Sequence, residues 1–153
     1  MMRTGNNRDA ELKQKLLDAV NMERALQAHP ALRMNAKLSA SAQLHADDMI
    51  VRNYFDHADP EGLRVGNRAR AAGYGDINAQ TCNCSYKISI GEDLAKGQTT
   101  VEQVIREWMA SPTHREAILS DDYNDIGIGI AGDVWVLNFG GVEVTNGTGG
   151  MTH

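Results

Sequence analysis

Apolar residues recur at three- and four-residue steps over residues 9–27, where Leu12, Leu16, Leu17, Val20, Met22 and Leu26 broadly follow helical spacing and His29-Pro30 ends the run. This predicts a first helix. After the turn at Asn35-Ala36-Lys37, a second helix is predicted from Leu38, Ala42, His45, Ala46 and Met49. Its stripe is rich in Ala, which lets a neighbouring layer come close. Residues 54–60 leave the helical period, and Asp59-Pro60-Glu61-Gly62 reads as a turn, so His57 falls on a loop directly after helix two. A short helix over 63–72, closed by Gly73, and a polar loop over 74–85 are expected next, followed by a short strand over 86–90.

Gly97 opens a turn before Thr99-Thr100, whose hydroxyls can cap a helix with Val101, Val104, Ile105, Trp108 and Met109 on one face. Ser111-Pro112 restarts the chain, with Ser at the cap and Pro at the first helical position, predicting another short helix to about residue 119 with His114 in its first turn. The alternation over 125–130 and the run over 134–139, joined by Ala131-Gly132-Asp133, predict an antiparallel hairpin. Gly127 and Gly129 leave one face of its first strand bare, which favours a closely packed backbone there. Helices precede the clearest strands and no repeat appears, so the fold expected is α+β, a sandwich with a small antiparallel sheet. One domain over 9–142 is predicted, with flexible ends at 1–8 and 145–153.

Composition narrows the function classes. The 153 residues suffice for one core, and aromatics at 5% leave aliphatic and Met side chains to fill most of it. Fifteen basic against twenty acidic residues, with no basic cluster, lack the electrostatic footprint of a nucleic-acid binder. No apolar stretch approaches the ~20 residues that span a bilayer. Asn6, Asn7, Arg8, Asp9, Glu11 and Lys13 likewise leave no apolar signal core in the first twenty residues. Cys82 and Cys84, one residue apart, form no disulfide framework and read as loop thiols or an unusual local bridge.

Imidazoles and carboxylates can exchange protons near neutral pH and ligate metals, so those outside helical stripes are weighed first. His57, Glu92 and His114 stand out, with Glu92 placed just before the Gly97 turn. No local spacing joins them: there is no His-Glu-x-x-His helix and no Cys-x-x-Cys pair. His45 lies on the buried stripe of helix two and reads as a satisfied core histidine, and Trp108 reads as core packing.

Four segments, in order, look like the successive signatures of one family. They are Tyr54-Phe55-Asp56-His57, Gly91-Glu92-Asp93-Leu94-Ala95, Trp108-Met109-Ala110-Ser111-Pro112-Thr113-His114-Arg115 and Ile126-Gly127-Ile128-Gly129. They resemble bacterial domains of the CAP superfamily (cysteine-rich secretory, antigen 5 and pathogenesis-related 1), of the SCP-like extracellular kind. With residues 20–24 and 45–49 the similarity spans about residues 16–140. The resemblance implies a three-layer α-β-α sandwich whose cleft gathers two histidines and acidic residues and binds divalent metal in some members.

Matched residue by residue, His57, Glu92 and His114 carry over, with His57 and His114 as the implied metal ligands. The family's second acidic residue has no match. Ser111 stands three residues after Trp108, and Glu107 and Glu116 are nearby substitutes that no pattern assigns. Asp93 stands where many relatives have Asn.

The expectation is therefore a secreted domain, extracellular or periplasmic, acting as a monomer. Its cleft holds a small ligand or a divalent cation such as zinc, without turnover. The alternative is a metal-assisted hydrolase of peptidase or esterase type with Glu92 as general base. A thiol enzyme using Cys82 or Cys84 lacks any nucleophile signature.

Overall fold

The computed structural model describes residues 4–76 and 84–146. In chain order the elements are α1 (Thr4–Leu26), β1 (Arg33–Met34), α2 (Ala36–Val51), α3 (Val65–Ala71), β2 (Cys84–Lys96), α4 (Val101–Ala110), α5 (Pro112–Leu119), β3 (Asp125–Ala131) and β4 (Val134–Asn146). The strands form one four-stranded open sheet in the order β1-β3-β4-β2. It is antiparallel except where the two-residue β1 pairs parallel with β3.

Local chemistry sets the boundaries. The Asn35 side chain accepts from the amides of Lys37 and Leu38 to start α2, and the Thr100 side chain accepts from that of Gln103 to start α4. Ser111 precedes Pro112 as expected, but its hydroxyl makes no capping bond. Ala28, at φ 63°, turns the chain out of α1 ahead of Pro30.

Three expectations need correction. Helix α1 begins at Thr4 rather than residue 9, and β4 continues to Asn146 through residues expected to be a mobile tail. Strand β2 runs over Cys84–Lys96, so Glu92 lies inside a strand rather than before a turn. The cause is pairing: Cys84 to Lys96 match Asn146 to Val134 residue for residue, and this ladder carries β2 past Ile90 up to the Gly97 turn. The reading of Cys82 and Cys84 as loop thiols or a local bridge lies outside the described residues and side chains, as do the ends beyond 4 and 146.

Alternation along the strands gives the sheet two apolar faces. Ile126, Ile128, Ile130, Trp135, Leu137 and Phe139 form the main core with Leu16 and Val20 of α1, Val104 and Trp108 of α4, and Ile118 of α5. On the other face Val134, Val136 and Leu94 pack under Ala42, Ala46 and Met49 of α2. Gly127 and Gly129 let α2 descend onto β3. A Cβ on Gly127 would collide with the Leu38 carbonyl group, and one on Gly129 with the Ala42 carbonyl group. The result is an α-β-α sandwich in which β2 is an edge strand between two helical layers.

Candidate functional site

The register Glu92↔Asn138 and Leu94↔Val136 puts Glu92 on the α2/α3 face of edge strand β2. Its side chain is 1% exposed, yet both oxygens have partners. Nδ1 of His57 lies 2.9 Å from Oε1. Arg68 Nη2 at 2.8 Å and Asn138 Nδ2 at 3.0 Å donate to Oε2. Ser41 Oγ donates to Asn138 Oδ1 at 2.7 Å, which fixes the amide's orientation. Burial alone would raise the Glu92 pKa, but the His57 hydrogen bond and the Arg68 charge outweigh it and hold the carboxyl below its ordinary value. An ionised carboxylate only accepts, so His57 donates from Nδ1, and Nε2 is the ring nitrogen left to offer a lone pair in the neutral form. The His57 side chain is 40% exposed.

The loop bearing His57 is held from two helices. His45, 1% exposed on α2, donates from Nε2 to the Asp56 carbonyl at 2.9 Å. Arg68, on α3, donates from Nη1 to the carbonyls of His57 and Leu63, each at 3.0 Å. Tyr54 donates to Asp48 at 2.6 Å, and Arg52 bridges Asp48 and Glu61. His45 is thus the satisfied core histidine expected. Trp108 is core as expected, with Nε1 donating to Leu94 O at 3.0 Å.

His114 comes from the opposite layer, in the first turn of α5, the helix whose Ile118 enters the main core. Burial first, and the charge of His57 second, lower its pKa, so the neutral ring is favoured. No hydrogen bond among the described residues joins His114 to His57 or Glu92. Among the described residues no group of three or more His, Cys, Asp or Glu side chains is arranged to hold a metal ion.

Neither substitute for the second acidic residue joins this cluster by contact. Glu107 is taken by Gln98 at 2.7 Å and Gln103 at 3.1 Å, and Glu116 is exposed on α5. Asp93 is the buried acid nearest in sequence. It points into the opposite face from Glu92, is 2% exposed, and its Oδ2 has no hydrogen-bond partner. Burial, then the charge of Glu92, push its carboxyl up to about 8. A separate concavity of about 600 Å³ lies between α1 and α4. Another of about 250 Å³, behind the His57 loop, is lined by Asp48, Asp59 and Arg68.

Sequence reasoning missed Arg68, Asn138 and Ser41. Asn138 carried a signal, as the lone polar residue in Val134-Trp135-Val136-Leu137-Asn138-Phe139. Arg68 carried none, being one of three arginines in a short polar helix region.

Comparison with known proteins agrees with this architecture. The profile of the Cysteine-rich secretory protein family (CAP) matches residues 17–139. The uncharacterized protein YkwD of Bacillus subtilis is 34% identical over 129 residues, covering 83% of this chain and 46% of that protein. The uncharacterized membrane protein YlbC of the same organism is 24% identical over 127 residues, covering 83% of this chain and 34% of its own length. The chain thus spans less than half of either relative. An extracellular protein containing an SCP domain from Bacillus anthracis superposes with a TM-score of 0.71 at 23% identity, over 82% of this chain and 39% of that one. An outer surface protein of Borrelia burgdorferi gives 0.74 at 22% identity, over 87% and 94%. Both share the fold. With the family profile covering most of its length and its signatures falling on one sandwich, the chain belongs to the CAP family of cysteine-rich secretory proteins.

Proposed function

We propose that this CAP domain is a secreted binding module that holds a divalent cation, zinc or one like it, between the Nε2 of His57 and the imidazole of His114, without turning a substrate over. The observation that carries the reading is the 2.9 Å contact between His57 Nδ1 and a Glu92 carboxylate that is 1% exposed. A carboxylate that accepts the far N–H of an imidazole fixes its tautomer and makes the other nitrogen a better ligand. The exposed His57 ring suits an ion approaching from solvent. The lowered pKa of His114 keeps its lone pair available at neutral pH.

Glu92 is an orienting group in this reading. With one oxygen on His57 and the other on Arg68 and Asn138, it is not free to take a proton from water, which weighs against the hydrolase alternative. Export is favoured by the extracellular and outer-surface proteins that share the fold. Among the described residues no helix is long and apolar enough to cross a membrane.

Calorimetric titration with zinc at pH 7.5 tests the proposal. Wild type should bind, His57→Ala and His114→Ala should each weaken binding by tenfold or more, and Glu92→Gln by about tenfold. Unchanged binding in His57→Ala would refute it. Ester, peptide or phosphate hydrolysis that Glu92→Gln abolishes, with fold and metal occupancy intact, would make this an enzyme.

A further inference from the structure

We infer that Arg68 is the positioning residue of the His57 site, because one guanidinium holds both the loop that carries the imidazole and the carboxylate that orients it. The inference rests on the cleft reading above and adds a residue to it. Nη1 binds the carbonyls of His57 and Leu63, and Nη2 binds Glu92 Oε2. These three acceptors come from the middle and the end of the α2–α3 loop and from an edge strand. Apart from His57 itself, no other side chain among the described residues bonds both this loop and Glu92. Asn138 shares Oε2 but reaches nothing on the loop, and His45 holds the loop at Asp56 but does not touch Glu92.

The geometry needs an arginine. Its planar fork presents five donors in fixed directions, whereas a lysine ammonium is a point donor on a flexible stem. The Arg68 side chain is only 11% exposed, so its charge acts on Glu92 through little solvent. Without it, Glu92 would be a buried carboxylate with a neutral amide on Oε2, and the carbonyls of His57 and Leu63 would lose their donor. The ring would then lose both its position and the acceptor that fixes Nδ1–H. Helix α3 thereby becomes part of the site although none of its side chains is a ligand.

The test is imidazole ¹⁵N NMR at pH 7.5 on metal-free protein, comparing wild type with Arg68→Gln, Arg68→Lys and Asn138→Ser. Wild type should show the Nδ1–H tautomer of His57. Arg68→Gln should shift the signal towards the Nε2–H form that free imidazole favours, and raise amide exchange over residues 54–63 at least tenfold. Asn138→Ser should leave that loop protected. Arg68→Lys, which keeps the charge but cannot span three acceptors, should restore the tautomer in part and the loop protection least; it also stands in if Arg68→Gln does not fold. Zinc affinity should fall about 10–100-fold in both Arg68 variants. An unchanged His57 tautomer and unchanged loop exchange in a folded Arg68 variant would overturn the inference. Absence of zinc binding in every protein, with the tautomer still dependent on Arg68, would instead sink the cation reading and leave the positioning role standing.

Discussion

Asp93→Asn should stabilise this protein at neutral pH and do so less as the pH falls. In the fold Asp93 is 2% exposed with its Oδ2 unpartnered, and its carboxyl is pushed from 3.8 up to about 8. A raised folded-state pKa means that the unfolded chain gives up this proton near pH 4 while the folded chain keeps it. Stability is therefore fully present below pH 3.8 and is lost as the pH climbs through 8. At pH 7 the gap is about three units, or a ceiling of about 4 kcal/mol at about 1.36 kcal/mol per unit. Relaxation around the group lowers that ceiling. An Asn amide buried in the same place removes the proton linkage but leaves a polar group without partners, costing about 1–3 kcal/mol. The net gain expected at pH 7 is about 1–2 kcal/mol, which for a domain of this size is a rise in Tm of about 2–8 °C. Thermal and urea unfolding of both proteins from pH 4 to pH 8.5 would measure it. The advantage should grow with pH and vanish or reverse near pH 4. A pH-independent difference, or an Asn variant less stable at pH 8, would refute the argument.

Arg24 is 1% exposed and donates to the carbonyls of Pro30, Ile118 and Ser120, closing the C-terminal end of α5, so Arg24→Met should cost at least about 3 kcal/mol in urea unfolding. Gly129→Ala would drive a methyl into the backbone of α2 and should cost about 1–3 kcal/mol or more, whereas Gly66→Ala, in the open first turn of α3, should be neutral or stabilising by up to about 1 kcal/mol. Burial holds the His45 pKa below 6.5, so the folded chain resists a proton that the unfolded chain accepts, and stability should fall as the pH drops below 6.5. His45→Phe should flatten part of that slope, leaving the share due to His114, while costing about 1–3 kcal/mol at pH 7.5 through the orphaned Asp56 carbonyl.

Helices α2 and α4 were legible from their own starts, Asn35 and Thr100 capping where the apolar stripe begins, while Pro30 and Pro112 marked where a helical run is interrupted. The hairpin was legible from Ile126, Ile128 and Ile130 alternating with glycines that exist for α2. The extent of β2 was not, since residues 91–96 owe their strand conformation to a partner some forty residues further along the chain. His57, Glu92 and His114 could be nominated only through motifs resembling a family, because they lie on a loop, a strand and a helix that no local spacing links. Their support was hidden for the same reason. Arg68 is ordinary in its own helix and acquires meaning only against Glu92 and the His57 carbonyl. Ser41 and Asn138 meet across nearly a hundred residues.

The central claim, that His57 and His114 form the two-imidazole floor of a cation site, is tested most directly by anomalous diffraction at the zinc edge from crystals soaked in zinc. The account predicts one peak about 2.0–2.1 Å from His57 Nε2 and from a ring nitrogen of His114, with Glu92 still bonded to His57 Nδ1. Zinc bound only elsewhere, or held by one of the two rings without the other, would contradict it.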